Sequence, residues 1–159
     1  MAATTPTAPD FVFPSIKGGD IKLSDWRGKP VLVVNTASMC GFTHQYAGMQ
    51  SLADLLGTQG LVLAVPSEDF EQEYGSEAEV ASFCEMTFGL KLPMTKIAHV
   101  AKGEVHPFFA WLRDTQGFVP DWNFNKVLIG PDGNFVAAFG SDPDPMDDEI
   151  KGAVLGLLA

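Results

Sequence analysis

A mixed α/β sheet covered by helices on both faces is the architecture this sequence predicts, and three observations carry it. Two continuous apolar, β-branched runs, Val31-Leu32-Val33-Val34-Asn35-Thr36 and Leu61-Val62-Leu63-Ala64-Val65, read as strands buried on both faces. A helical stretch lies between them, so strand, helix and strand fall within about thirty-five residues, the length of a right-handed βαβ unit whose parallel strands need helical cover. Further on, Val127-Leu128-Ile129 and Phe135-Val136-Ala137 flank Pro131-Asp132-Gly133-Asn134, a turn that makes the last two strands antiparallel.

The other elements follow from local signals. Phe11-Val12-Phe13 and Ile21-Lys22-Leu23 surround Lys17-Gly18-Gly19-Asp20 and predict a small N-terminal hairpin. The first helix places Met49, Leu52, Leu55 and Leu56 on one face, and Gly57 and Gly60 bracket the turn after it. Ser76-Glu77-Ala78-Glu79 is a capping box, and the helix it opens puts Val80, Phe83, Cys84 and Thr87 on one face. Pro107 at the first helical position starts a helix carrying Phe108, Phe109, Trp111 and Leu112. Asp147, Asp148 and Glu149 open a last helix with Ile150, Ala153, Val154 and Leu157 inward. This order fits a thioredoxin-like fold, and it also fits other α/β arrangements.

The chain has 159 residues, 46% of them hydrophobic, which is one domain with enough core to fold without disulfide staples. Residues 1–10 are small, polar and Pro-containing and are expected to form a flexible arm, leaving 11–159 as the single domain. That arm has neither the basic start and apolar run of a secretory signal nor an Arg-rich transit pattern, which suggests a cytoplasmic protein. Ten basic against 20 acidic residues give a net charge of -10, which argues against nucleic acid and anionic membranes as partners. No run approaches the roughly 18 apolar residues of a membrane span. His44, His99, His106 and the two cysteines show no metal-ligand spacing, and no phosphate loop or serine-nucleophile elbow is present, so no metal or cofactor is expected.

Chemistry concentrates at Cys40. It follows the first buried strand and precedes a helix, where unpaired N–H groups and the positive end of the helix dipole favour a thiolate, the reactive form of cysteine. A buried structural cysteine is the competing reading from position alone.

The surrounding segments carry more. Asn35-Thr36-Ala37-Ser38-Met39-Cys40-Gly41-Phe42-Thr43, continuing through His44-Gln45-Tyr46, resembles the peroxidatic motif of glutathione peroxidases, with cysteine where some members carry selenocysteine. Gln72-Glu73-Tyr74-Gly75-Ser76, His106-Pro107, Trp122-Asn123-Phe124-Asn125-Lys126 and Asp132-Gly133 are similar to later segments of that family, in its order, from about Phe11 to the C-terminus. The resemblance implies a thioredoxin-like peroxidase with four catalytic residues: Cys40 as nucleophile, and Gln72, Trp122 and Asn123 around it. Neutral donors suit this chemistry, because they can stabilise a thiolate and a leaving oxygen without adding a group that titrates. In isolation a tryptophan more often packs a core, and an asparagine before a strand more often shapes a turn.

The sequence departs from the family pattern at Val65-Pro66-Ser67-Glu68-Asp69-Phe70-Glu71-Gln72-Glu73, which is one residue short and carries carboxylates in place of two amides. Counting back from the capped helix at Ser76 puts Gln72 in register and the loss near Glu71. Glu68 and Asp69 are expected to face water, and His44, where the family commonly has proline, to be an exposed helical residue.

Cys84 matches the position of the resolving cysteine in thioredoxin-dependent relatives; its place on the apolar face of a helix also suits a small buried thiol without a role. The resemblance implies that Cys40 forms a sulfenic acid and then a disulfide with Cys84, recycled by thioredoxin or glutathione. A thiol-disulfide reductase would need a second cysteine at Thr43, and a peroxiredoxin a threonine at Ala37. A redox relay to a partner protein would use the same two cysteines and stays open. Nine residues separate Leu112 from Trp122, too few for the assembly insertion of tetrameric relatives, so a monomer is expected.

Overall fold

In a computed structural model, described over residues 7–158, β3 (Val31–Thr36) and β4 (Leu61–Pro66) pair in parallel with Val31 opposite Leu61. On its other side β3 pairs antiparallel with β5 (Lys126–Ile129), which pairs antiparallel with β6 (Phe135–Phe139). The sheet order is therefore β4-β3-β5-β6. Every residue of β3, β4 and β5 is buried, as the unbroken apolar runs require. The N-terminal hairpin is β1 (Val12–Pro14) with β2 (Asp20–Lys22).

Alternate strand residues feed two separate cores. Leu32, Val34, Val62, Ala64 and Leu128 face one side, covered by α1 (Gln45–Leu56), α2 (Glu77–Phe88) and α4 (Asp148–Leu155). Val31, Val33, Leu61, Leu63, Val65, Val127 and Ile129 face the other, covered by α3 (Pro107–Gln116) and the hairpin residue Phe13. Helices on both faces, a parallel centre and an antiparallel side make this a thioredoxin-like fold.

The helix starts follow the sequence signals. The Glu79 N–H donates to the Ser76 hydroxyl at 3.2 Å. At α3 the Phe108 N–H donates to His106 Nδ1 at 3.0 Å, so histidine caps a helix whose first residue is proline. Two predicted faces are narrower than expected. Leu55 is 54% exposed, because it lies roughly 100° round the helix from Leu56. In α2 only Val80 and Cys84 are fully buried, Phe83 and Phe88 pack partly buried against the core, and Thr87 is exposed.

Residues 1–6 of the predicted arm lie outside the described residues. Ala8–Asp10 form a 3-10 turn, with Ala8 buried and its N–H donating to the Gly133 carbonyl at 3.0 Å.

Candidate active site

β3 ends in the polar pair Asn35-Thr36, and from there the chain runs through a series of turns before α1 begins at Gln45. Cys40 lies in these turns rather than on the helix, five residues before it. Its sulfur is held by a local turn, and the N-cap of α1 is His44. The Phe42 N–H donates to Cys40 Sγ at 3.3 Å, and the Thr43 N–H donates to the Cys40 carbonyl at 3.1 Å. The Thr43 hydroxyl accepts the Cys40 N–H and donates to the Ala37 carbonyl, both at 2.9 Å, which closes the loop around the sulfur. Cys40 is 9% exposed, and its neighbours hold the thiol in place.

Hydrogen bonds draw the predicted partners to this loop. The Met39 N–H donates to the Gln72 carbonyl at 2.9 Å, fixing residue 72 beside residue 40. Asn123 Nδ2 donates to Gln72 Oε1 at 3.2 Å, which ties the two amides together. The register of Gln72 depends on a tight turn: Glu71 has φ 61° and donates its N–H to the Glu68 carbonyl at 2.8 Å. A positive φ at a non-glycine residue costs on the order of 1–3 kcal/mol, so the shortened loop holds strain where it meets the site.

Trp122 is 36% exposed and packs on Phe70, with ring centroids 5.5 Å apart. Its carbonyl accepts from Asn35 Nδ2 at 2.8 Å, and the Phe124 N–H donates to the Asn35 carbonyl at 2.6 Å. Phe124 is fully buried against Tyr46 and adopts φ 60°, which turns the chain between Asn123 and β5. Asn35 is thus the strand residue that orients the tryptophan segment. A polar residue in an otherwise apolar strand was the signal available in the sequence.

Ser141 also acts on the site without having been anticipated. Its hydroxyl donates to the Asn123 carbonyl at 2.6 Å and accepts from Asn125 Nδ2 at 3.1 Å. Its carbonyl accepts from Gln45 Nε2 at 2.7 Å and from the buried Lys126 Nζ at 2.8 Å. Burial pushes the Lys126 ammonium pKa down to about 8 against the upward pull of Asp144, Asp142, Asp147 and Glu149. Beside Trp122 these contacts shape a groove of about 530 Å³ whose rim carries Asp121, Asp142 and Glu149.

The two carboxylates of the shortened loop differ. Glu68 is exposed as expected, but Asp69 is buried and does not face water. It accepts the N–H groups of Val100, Ala101 and Lys102 at 2.7, 2.9 and 3.2 Å and lies 2.7 Å from His99 Nδ1. Burial alone would raise its pKa, yet the bonds from Ala101, His99, Val100 and Lys102 together carry it below the usual carboxylate value. Asp69 therefore clamps two loops and points away from Cys40. His44 is exposed, just ahead of α1, with Nδ1 3.1 Å from the Gly41 carbonyl.

Cys84 is buried in the same core cluster as Cys40, and both thiols are free. Burial, set against the neighbouring Tyr46 hydroxyl and reinforced by the nearby Glu73 charge, pushes the Cys84 pKa up to about 11. In the closed helix this thiol is protonated and a poor nucleophile. Among the described residues no group of three or more His, Cys, Asp or Glu could hold a metal ion.

The glutathione peroxidase family model matches residues 9–113. A glutathione peroxidase of Lactococcus lactis is 36% identical over 150 residues, covering 89% of this chain and 96% of that protein. Glutathione peroxidase 7 of Homo sapiens is 40% identical over 153 residues, covering 94% and 80%. Among solved structures, Trgpx in its apo form superposes with a TM-score of 0.75 at 28% identity, over 97% of this chain and 96% of that one.

Proposed function

Because this chain belongs to the glutathione peroxidase family, we propose that it reduces hydroperoxides through a Cys40 sulfenic acid and a Cys40–Cys84 disulfide that thioredoxin reopens. Family membership makes it a hydroperoxide-reducing enzyme that draws electrons from a thioredoxin- or glutathione-type reductant. The cysteine route is our reading. What supports it is the hydrogen-bonded chain from the Met39 N–H to the Gln72 carbonyl and from the Gln72 side chain to Asn123, which ties two neutral amides to the segment before Cys40.

In the first step the Cys40 thiolate attacks one peroxide oxygen. An S–O bond forms, the O–O bond breaks, and the second oxygen leaves with a proton as water or alcohol. Negative charge moves from sulfur to the leaving oxygen, where the free N–H groups of Gln72 and the Trp122 indole can meet it. Asn123 holds Gln72 in place by occupying its Oε1.

In the second step Cys84 attacks the sulfenic sulfur and water leaves. Disulfide geometry needs Cα atoms within about 7 Å, so α2 opens to deliver Cys84. Only two of its residues, Val80 and Cys84, are fully buried, with Phe83 and Phe88 partly buried against the core, an anchoring lighter than that of α1. Reduction of the disulfide follows by exchange with a dithiol partner. The acidic rim of the groove and the net charge of -10 repel glutathione, itself an anion, and leave a protein dithiol as the better reductant.

The test is peroxide consumption followed in parallel with thioredoxin and thioredoxin reductase, and with glutathione and glutathione reductase. Turnover at least tenfold faster with thioredoxin is expected. Equal or faster turnover with glutathione overturns the assignment of reductant.

A further inference from the structure

The peptide between Asn123 and Phe124 belongs to the residue that holds Gln72, and it lies in a turn that must itself be held. Phe124 is a non-glycine residue at φ 60°, a conformation that persists only where its surroundings enforce it. Asn123 is fully buried, and its Nδ2 donates to Gln72 Oε1 at 3.2 Å. Among the described residues its Oδ1 has no hydrogen-bond partner, so the direction of this amide depends on the backbone of residue 123. Two short hydrogen bonds grip that backbone. The Phe124 N–H donates to the Asn35 carbonyl at 2.6 Å, and the Ser141 hydroxyl donates to the Asn123 carbonyl at 2.6 Å.

Ser141 is fastened from several sides. Its carbonyl accepts from Gln45 Nε2 at 2.7 Å, at the start of α1, and from Lys126 Nζ at 2.8 Å. Lys126 is fully buried on β5 and also donates to the Gly140 carbonyl at 3.2 Å. A buried ammonium is costly unless its hydrogen bonds are met, and residues 140 and 141 supply these acceptors. Asn125 Nδ2 donates to the Ser141 hydroxyl at 3.1 Å, which leaves the hydroxyl proton to point at Asn123.

We propose that Ser141 is a positioning residue for the oxidation of Cys40: seated by Lys126, Gln45 and Asn125, it fixes the Asn123–Phe124 peptide and, through the Asn123 amide, the direction of Gln72. The inference rests on Gln72 being a donor to the leaving oxygen. With Oε1 occupied by Asn123, the free end of the Gln72 amide is its N–H end, the one that can meet negative charge. Without the Ser141 hydroxyl, the Asn123 carbonyl loses its partner and Phe124 is released toward negative φ. The Asn123 amide then turns, and Gln72 loses its lock. Cys40 is held by a different set of bonds, from Phe42 and Thr43, so its thiolate does not depend on Ser141.

The experiment compares two reactions of Cys40 in the full chain: oxidation by hydrogen peroxide in stopped-flow, and alkylation by iodoacetamide, located by mass mapping. Both need the thiolate, but only oxidation expels an oxygen that donors must stabilise. Ser141→Ala should oxidise about tenfold more slowly than wild type, while alkylation keeps the wild-type rate and pH dependence. In an Asn123→Ala background the same change should add no further loss, because the link it acts through is gone. Ser141→Thr and Ser141→Val match in shape and differ in the hydroxyl, so the threonine variant should oxidise faster. Equal rates in that pair overturn the proposal, and the pair decides should Ser141→Ala fail to fold. A wild-type oxidation rate in Ser141→Ala overturns it, as does equal slowing of both reactions, which marks a loss of thiolate or fold. Wild-type oxidation in Gln72→Ala is a separate failure: it removes the donor reading of Gln72, and this proposal with it.

Discussion

The Asp69 carboxylate accepts three backbone N–H groups and sits against His99, so its work is to hold the loop after β4 to residues 99–102. Asp69→Ala should lower unfolding free energy by about 2–4 kcal/mol, measured by urea denaturation, because it strands buried donors. Its depressed pKa gives stability that is present above the unfolded value near 3.8 and is lost as pH falls through the folded one. The wild type should therefore lose stability below about pH 4 more steeply than the variant. No local pattern announces this clamp, because the donors arrive from about thirty residues away. At the site itself, Cys40→Ser should abolish peroxidase activity while circular dichroism stays that of the wild type. Gln72→Ala and Trp122→Phe should each slow the oxidation of Cys40 in stopped-flow, by up to about a hundredfold if one preorganised donor is lost. Gln72, Trp122 and Asn123 were singled out because their segments resemble a family pattern, and the structure joins Gln72 to Asn123. Asn35 carried only the signal of a polar residue at the end of an apolar strand, and Ser141 carried none, since it acts through the Asn123 backbone carbonyl.

Among the elements, α2 holds Cys84 with few fully buried residues. Its neighbour α1 buries five residues and α3 buries four, whereas α2 buries Val80 and Cys84. Cys84→Ser should leave the first oxidation fast and stall thioredoxin-supported turnover, with sulfenic acid or overoxidised Cys40 accumulating in mass spectra. Normal turnover in that variant would point to a one-cysteine cycle. Strands were read well from sequence because runs buried on both faces are continuous. Helix faces were read less well: periodicity marks Leu55 and Thr87 as inward, but how far a helix stays on the sheet depends on packing that spacing does not encode.

For the molecule as a whole, the short connection between α3 and Trp122 and the acidic surface favour a protein that works alone. Light scattering at micromolar concentration should give the mass of a monomer, and a stable tetramer would contradict this. The parallel centre and the antiparallel side were legible from strand order and the Asp132-Gly133 turn, while the pairing of β3 between β4 and β5 needed the structure.

The sheet separates a cluster holding both cysteines from one that holds α3 and the hairpin. A helix that melts once per turnover would disturb only the first. In amide hydrogen exchange, α2 should behave as a small cooperative unit that opens and recloses while β3, β4, β5 and α3 keep their protection. Such a division gives the catalyst a part that yields and a part that remembers the fold, so that many cycles of opening need never pass through the unfolded chain.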